Sequence, residues 1–269
     1  MQKTTLFTPP KELTAAFVQE TYDQLTRALK QLGEAKDWID FFHQWNSFKA
    51  YLSGENARRS LKENQNTEDA AAEKAAAFMR ETIAPLQEER DAAIREALLA
   101  SPHRDALEKE FGELLFVNFE VAQSAFVPEN IALNTEISNL TARYSKIVGG
   151  AKVTVDGEEL TMPRALALWE HPEEGKRKAA WEAINEWTTA HSDELHSIYS
   201  SMVELRHQCA LNLGEKNFVP VGYKRMRRTD YGPEQVAQFR EEIKRYVVPL
   251  LQRFQEKQAE LLGQKTVKP

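Results

Sequence analysis

Apolar residues recur along this sequence at the spacing of an α-helix, and this periodicity restricts the possible folds more than any other feature. In the first segment they follow one another at steps of three to five residues, which places them on one side of a helix (Leu13, Phe17, Tyr22, Leu25, Leu29 and Leu32). The second segment repeats the pattern with bulkier side chains (Trp38, Phe41, Phe42, Trp45, Phe48 and Leu52). Similar patterns continue almost to the end of the chain. We therefore predict a mainly α protein, a multi-helix array.

Turn-forming residues predict where some of these helices end. Ser53 and Gly54 indicate the end of the second helix. Pro85 lies in the middle of an alanine-rich helical stretch, residues 70–100, and should kink or break it because proline has no backbone donor. Residues 215–232 are rich in turn residues and are predicted to form a loop.

One segment, near residues 152–162, alternates with a period of two instead. Its two halves flank Asp156 and Gly157, and an Asp-Gly pair readily supplies the positive φ angles of a tight hairpin turn. A two-stranded hairpin is marginally stable alone, so we expect it to pack on helices. The sequence therefore predicts one β-hairpin within the helical array.

Length and charge exclude several classes of protein. A chain of 269 residues can bury a large core, and its 42% hydrophobic content excludes intrinsic disorder. No apolar run approaches the roughly 18 residues that span a bilayer, so we expect no membrane association. The net charge of -6 argues against nucleic-acid binding. A single cysteine and the lack of an N-terminal apolar stretch predict a cytoplasmic protein.

Histidines on a helix are the first candidates for a zinc site. A helical zinc pair needs two histidines four residues apart, about 40° around the helix, but His191 and His196 are five apart, about 140°. His207 shares the face of His196, yet the two lie about 16 Å apart along the axis. We therefore predict that this chain provides no metal ligands and binds no zinc.

Two other features are candidates for a reactive or binding group. Cys209 lies on an apolar stretch, where a cysteine usually behaves as a small buried hydrophobe. The basic cluster, residues 224–228 with one lysine and three arginines, could grip an anion such as a peptide carboxylate, or could form salt bridges to neighbouring helices. Composition and spacing leave both readings open, and they reveal no complete catalytic site.

The second half of the sequence contains strings that are more specific than any periodicity. These are Tyr-Ser-Lys-Ile-Val-Gly-Gly at residues 144–150, the hairpin at 153–161, Arg-Lys-Ala-Ala-Trp at 177–181, Leu-Gly-Glu-Lys-Asn at 213–217 and Gly-Tyr-Lys-Arg-Met-Arg-Arg-Thr-Asp-Tyr-Gly-Pro at 222–233. Together they resemble the middle of an oligoendopeptidase F, a zinc metallopeptidase of the thimet-oligopeptidase type. The resemblance runs from about residue 140 onward, whereas the first hundred residues match only in helical character.

That resemblance implies a zinc-dependent hydrolysis of short peptides inside a deep helical channel. The family's chemistry needs a His-Glu-x-x-His helix and a later glutamate ligand, and these 269 residues contain no such motif. We therefore assign no catalytic residue here, expect zinc only in the intact enzyme, and expect the chain alone to be inactive. Tyr223, Arg225, Arg228 and Tyr231, within the most specific string, are the candidates for substrate binding.

The resemblance also implies a domain organisation and a partner. Residues 1–170 would form an N-terminal helical region with the hairpin, and residues 171–269 the opening helices of an incomplete catalytic domain. An apolar stripe from Val236 to Leu262 predicts that the last helix packs against a missing C-terminal catalytic half. The alternative is a non-catalytic helical scaffold or protein-interaction module, which would use the same stripe to bind a protein partner.

Overall fold

The computed structural model describes residues 8–267, and it is mainly helical, as predicted. The helices are α1 (Ala15–Leu29), α2 (Ala35–Gln65), α3 (Ala70–Phe78), α4 (Ala84–Leu99), α5 (Arg104–Phe111), α6 (Glu113–Ser124), α7 (Asn130–Gly149), α8 (Met162–Ala167), α9 (Glu174–Ala190), α10 (Ser192–Asn212), α11 (Phe218–Arg225), α12 (Pro233–Glu242) and α13 (Val248–Leu261). Two strands, β1 (Lys152–Val155) and β2 (Glu158–Thr161), form the only sheet among the described residues. The predicted fold class is thus confirmed.

The main core is built from the aromatic stripe that the sequence predicts on α2. Trp45 and Phe48 are almost completely buried there, and Phe48 meets Tyr22 of α1 edge-to-face with ring centroids 5.2 Å apart. Phe42, one turn before Trp45 on α2, packs against Phe111 of α5 with ring centroids 4.2 Å apart. Such aromatic pairs add about 0.5–1.5 kcal/mol each beyond the area they bury. This core joins α1, α2, α4, α5 and α6.

The prediction that α2 ends at Ser53 and Gly54 is wrong, because the helix continues to Gln65. After Leu52 the side chains are mainly polar and are held by pairs along the helix, including Arg59 with Glu55 at 3.4 Å and Arg58 with the same glutamate. One glycine within a helix costs only about 1 kcal/mol, which the long helix tolerates.

The predicted break at Pro85 is confirmed and takes the form of a π-helical turn. Residues Met79–Ile83 form this turn between α3 and α4, and Pro85 occupies the first turn of α4. The wider π turn makes room for a residue that can neither donate a backbone hydrogen bond nor tolerate the preceding carbonyl. The same device recurs at Ile243–Val247, just before Pro249 in α13.

The hairpin forms as predicted and has its own small core. Val153 pairs with Leu160 and Val155 with Glu158, while Asp156 and Gly157 adopt φ angles of 52° and 84° in the turn. Inward-facing residues of the hairpin pack with α8 and α9 in a second buried cluster (Ala151, Val153, Val155, Leu160, Met162, Ala165, Ala180 and Ile184). This cluster joins residues on both sides of position 171, near the predicted domain boundary, which itself stays a prediction.

Candidate functional site

The four predicted substrate-binding residues lie in and directly after a helix that the sequence did not reveal. The predicted loop at 215–232 is wrong in part, because Phe218–Arg225 form α11. Asn217 caps this helix, its side-chain oxygen accepting a hydrogen bond from the backbone N–H of Val219 at 2.9 Å. Tyr223 and Arg225 are on α11, and Arg228 and Tyr231 follow in the connection to α12.

Three of the four candidates form one cluster. The rings of Tyr223 and Tyr231 meet edge-to-face with centroids 6.5 Å apart. The guanidinium of Arg228 lies 4.8 Å from the Tyr223 ring centroid and 5.4 Å from that of Tyr231. The attraction of a cation for aromatic faces holds Arg228 here, worth about 0.5–1 kcal/mol at an exposed site. We call Tyr223, Arg228 and Tyr231 the tyrosine–arginine cluster.

Arg225 belongs to a different environment, which reaches α4. Its Nη2 donates to Asn134 Oδ1 at 2.8 Å, and Asn134 Nδ2 donates to Glu88 Oε1 at 3.0 Å. Burial raises the pKa of Glu88, while the Arg225 charge and the Asn134 hydrogen bond counteract it in part. The asparagine thus links a basic candidate to a half-buried acid.

Cys209, beside this environment, is buried as the sequence predicts. Its Sγ lies 3.9 Å from Asn134 Oδ1, and burial raises the pKa of the thiol. A raised pKa disfavours the thiolate, which is the nucleophilic form. The geometry therefore does not support Cys209 as a nucleophile.

The basic cluster at 224–228 is divided by the structure, so neither of the two readings describes all of it. Lys224 forms a salt bridge with Glu215 at 3.2 Å, as the structural reading expects. Arg227 has a left-handed backbone with φ of 54°, and no acidic side chain within residues 8–267 lies in salt-bridge range of it. Lys224 is thus paired with an acid, whereas Arg225 and Arg228 are held by neutral partners. Arg227 has no acidic partner among the described residues.

A buried polar network, which the sequence did not predict, lies at the centre of the main core. Asp91 is 5% exposed and accepts three hydrogen bonds: from Tyr22 Oη at 2.9 Å, from Trp45 Nε1 at 2.7 Å and from Gln87 Nε2 at 3.2 Å. Burial and the neighbouring aspartate raise the pKa of Tyr22. The available signal was an acid on the same face of α4 as Ile94 and Leu98, where an apolar residue is expected.

A polar cleft of about 780 Å³ lies between the second half of α2, the π turn before Pro85 and α7. Two ion pairs bridge residues of its wall: Arg80 with Glu63 at 2.9 Å and Lys146 with Glu73 at 3.0 Å. These four side chains are therefore already paired, which makes them poor candidates for a catalytic acid or base.

The described residues do not supply a metal site. Among residues 8–267, no three or more histidine, cysteine, aspartate or glutamate side chains lie together as metal ligands would. His191 instead ends α9, with its ring stacked on Trp187 at 4.2 Å and its Nδ1 2.8 Å from the Trp187 carbonyl oxygen. In the same described part of the chain, no helix combines the length and apolar character needed to cross a membrane.

The last helical segment, α12 to α13, exposes most of its apolar side chains. Phe239 is 64% exposed, Phe254 62% and Leu261 80%. Tyr246, Leu250, Leu251 and Leu262 are exposed as well. We call these seven side chains the terminal apolar surface; its size is typical of surfaces that another molecule or segment covers.

Comparison with known proteins gives consistent matches. Residues 10–126 match the family model for the Peptidase M3 N-terminal domain. The whole chain is similar to a structure assigned as oligoendopeptidase F from Bacillus anthracis strain Ames, with 26% identity and a TM-score of 0.91. It is also similar to PZ peptidase A, solved with an inhibitor, with 27% identity and a TM-score of 0.90. No curated protein matches the sequence.

These structural matches cover nearly all of this chain but only part of the solved ones. They cover 97% and 96% of this chain, and 48% and 46% of the two solved chains, so it spans about half of their length. The family model lies on the first half, where the sequence strings gave no specific resemblance, and the structural likeness includes both halves.

Proposed function

We propose that the chain is the N-terminal portion of a zinc-dependent oligopeptidase. Residues 10–126 match the family model for the Peptidase M3 N-terminal domain, and 97% of the chain is similar in fold to a structure assigned as oligoendopeptidase F. In the proposed enzyme the chain forms part of the wall of a helical channel and restricts access to short peptides. The observation that carries the proposal is the likeness over 97% of the chain, with a TM-score of 0.91. The enzyme is proposed to be cytoplasmic.

The terminal apolar surface supports a further catalytic half as its partner. A helix with exposed apolar residues such as Phe239, Leu251 and Phe254 is unfavourable in water, at about 25 cal/mol for each Å² of apolar surface left uncovered. In the proposed enzyme, polypeptide that follows residue 269 covers this surface.

Zinc does not fit the residues of this chain. Residues 8–267 bring no three potential ligands together, and the sequence has no His-Glu-x-x-His. When bound, zinc in such peptidases activates a water molecule for attack on the peptide bond. In our proposal the ligands are therefore outside these 269 residues, and the chain by itself neither binds zinc tightly nor cleaves peptides.

The direct test is an assay of the full-length gene product with a quenched fluorescent peptide of about eight residues. We expect cleavage that stops when zinc is chelated and returns when zinc is added, and no cleavage by the 269-residue chain. A full-length product that is inert, or equally active without metal, would contradict the proposal.

The terminal apolar surface also favours a second candidate of another class, a scaffold that binds a protein partner through α12 and α13. The coding sequence downstream of residue 269 separates the two candidates. A continuation that encodes a His-Glu-x-x-His helix supports the peptidase, whereas a stop codon at that point supports the scaffold.

A further inference from the structure

The polar cleft between the second half of α2, the π turn before Pro85 and α7 has walls that carry unused hydrogen-bonding groups. Asn56, Ser60 and Asn64 line it from α2, and Asn139 and Ser145 line it from α7. Within residues 8–267, none of these five side chains makes a hydrogen bond to another protein group. A cavity of about 780 Å³ is thus bordered on two sides by amide and hydroxyl groups that can bind a ligand.

The charges around the cleft are balanced. Six charged side chains line it, three basic and three acidic (Arg80, Arg143, Lys146, Glu63, Glu73 and Glu81). All except Glu81 form ion pairs, at 2.9 Å for Arg80, 2.7 Å for Arg143 and 3.0 Å for Lys146. Since these charges are already compensated, the cleft is better suited to a neutral ligand than to an anion or a cation.

The cleft also lacks the surfaces that bind apolar or aromatic groups. Among the described residues that line it, the only apolar side chains are those of Ala77 and Ala142. Pockets for apolar ligands are lined mainly by hydrophobic and aromatic side chains, and nucleobases stack on aromatic ones. A ligand of this cleft is therefore recognised through hydrogen bonds.

The length of the two walls indicates the length of the ligand. Asn56 and Asn64 are eight positions apart on α2, and Ser138 and Lys146 are eight positions apart on α7. At about 1.5 Å per helical residue, each wall is about 12 Å long. An extended peptide advances about 3.3 Å per residue, so about four of its residues would lie along the cleft.

We propose that this cleft binds the main chain of an extended oligopeptide over about four residues, largely independently of the peptide's side chains. Each peptide unit has one donor and one acceptor, and an asparagine amide has both, so Asn56, Asn64 and Asn139 can pair with N–H and C=O groups alike. The choice of a peptide over another neutral ligand rests on the proposed function. All of these groups belong to this chain, so the site does not need a catalytic half.

The experiment compares uncharged peptides of alanine and glycine that are N-acetylated and C-amidated. Calorimetry with the 269-residue chain is expected to show binding of the hexapeptide and at least tenfold weaker binding of the dipeptide. N-methylation at alternate residues of the hexapeptide removes main-chain donors and should also weaken binding at least tenfold. A hexapeptide of alanine and serine should bind within about threefold of the first, because the main chain is unchanged.

Several results would overturn the site. These are no binding of the hexapeptide, equal binding of the dipeptide, equal affinity after N-methylation, or a tenfold difference between the two unmodified hexapeptides. Maltotetraose, a neutral ligand that offers hydroxyl groups instead of peptide units, is measured in parallel and is expected not to bind. Tighter binding of this saccharide than of the hexapeptide would also overturn the proposal.

Variants assign the binding to the cleft. Asn64→Ala and Asn139→Ala should each weaken binding of the hexapeptide severalfold, and the double variant at least tenfold. Neither side chain bonds to the protein within residues 8–267, so the fold should persist. Asn46→Ala is the matched control, because Asn46 is also exposed on α2 but lies outside the cleft. An unchanged affinity in the double variant, or an equal loss in Asn46→Ala, contradicts the assignment.

A second measurement locates the peptide without removing an asparagine of the cleft. Ser145→Cys places a thiol at an exposed position of the wall, whereas the native Cys209 is buried. Its alkylation by iodoacetamide should slow severalfold with the hexapeptide and not with the N-methylated one, and Asn46→Cys should react at the same rate in both cases. No slowing at position 145 overturns the site. Because these measurements use binding alone, they can fail while the full-length product still cleaves peptides, and the reverse also holds.

Discussion

Individual polar side chains inside the core determine how its helices fit together. Asp91 connects three helices, because it accepts hydrogen bonds from Tyr22 of α1, Trp45 of α2 and Gln87 of its own helix. A buried carboxylate is costly unless its oxygens are satisfied, and three donors satisfy this one. The network therefore specifies the mutual position of α1, α2 and α4, which purely apolar contacts would leave less defined.

Removing this acceptor should destabilise the protein strongly. Asp91→Ala leaves the Tyr22 hydroxyl and the Trp45 N–H without a partner, and we expect a loss of about 2–4 kcal/mol in the free energy of unfolding. Urea denaturation followed by circular dichroism measures it. Glu89→Ala, at an exposed position on the same helix, is the control and should change stability by less than about 0.5 kcal/mol. Equal effects of the two substitutions would contradict this account.

Glu88 should make stability depend on pH in the direction opposite to a paired surface acid. Its pKa is raised in the folded chain, chiefly by burial, so its ionised form disfavours folding. That cost is present at neutral pH, above the folded pKa, and disappears as the pH falls below the unfolded value, about 4.3.

We therefore expect Glu88→Gln to be more stable than the unmodified chain at pH 7, with the difference shrinking as the pH approaches 4. Urea midpoints measured across this range test it, with Glu89→Gln as the exposed control. A Glu88→Gln variant that is less stable at pH 7 would show that attraction to Arg225 outweighs burial.

At the scale of elements, glycines and prolines in the turns carry information that apolar periodicity lacks. Gly157 has a φ of 84°, which the hairpin turn requires. Pro85 and Pro249 each coincide with the end of a π turn, where the helix changes its hydrogen bonding without stopping. The chain therefore reverses at Gly157, whereas at Pro85 and Pro249 the helix changes its hydrogen-bonding pattern and continues.

A matched pair of glycine substitutions tests the turn. Gly157→Ala forces a side chain into the left-handed region and should destabilise the protein by about 1 kcal/mol. Gly175→Ala lies in the first turn of α9 with open space around the new methyl group, and should be neutral or stabilising by a few tenths of a kcal/mol. Thermal unfolding compares them, and a destabilised Gly175→Ala together with a neutral Gly157→Ala would be the contrary result.

At the scale of the whole molecule, residues 8–267 contain two buried clusters and one uncovered helical segment. The larger cluster joins α1, α2 and α4 to α6, and the smaller one surrounds the hairpin. The segment from α12 to α13, by contrast, keeps Phe239, Leu251 and Phe254 in contact with solvent. Buried apolar area is the main source of stability, so this end depends on whatever covers it.

We expect the isolated chain to associate through this surface. Light scattering should give an apparent mass that rises with concentration above the 30.8 kDa of one chain. The double variant Leu251→Glu and Phe254→Glu should remain monomeric at the same concentrations, because the new charges resist burial. The control, Gln252→Glu with Gln255→Glu, adds the same charge to the same helix at polar positions and should still associate. A monomeric unmodified chain at high concentration would contradict the prediction.

Helical periodicity and turn chemistry were sufficient to predict the fold class, the hairpin at 152–162 and the break at Pro85. They failed where a local signal was outweighed: α2 continues through Ser53 and Gly54 because its neighbours along the helix support it, and α11 forms within a stretch rich in turn residues. The motif at 222–233 led to the resemblance, whereas the family model matches residues 10–126, where no short motif stands out.

By itself, the sequence determined most of the helical segments and their apolar faces, because these depend on residues a few positions apart. Only the tertiary structure decided that Arg225 meets Asn134, 91 positions away, and that Arg228 lies against two tyrosines instead of an acid. Pairings between distant segments follow from how the helices pack, and no local pattern of residues encodes that arrangement.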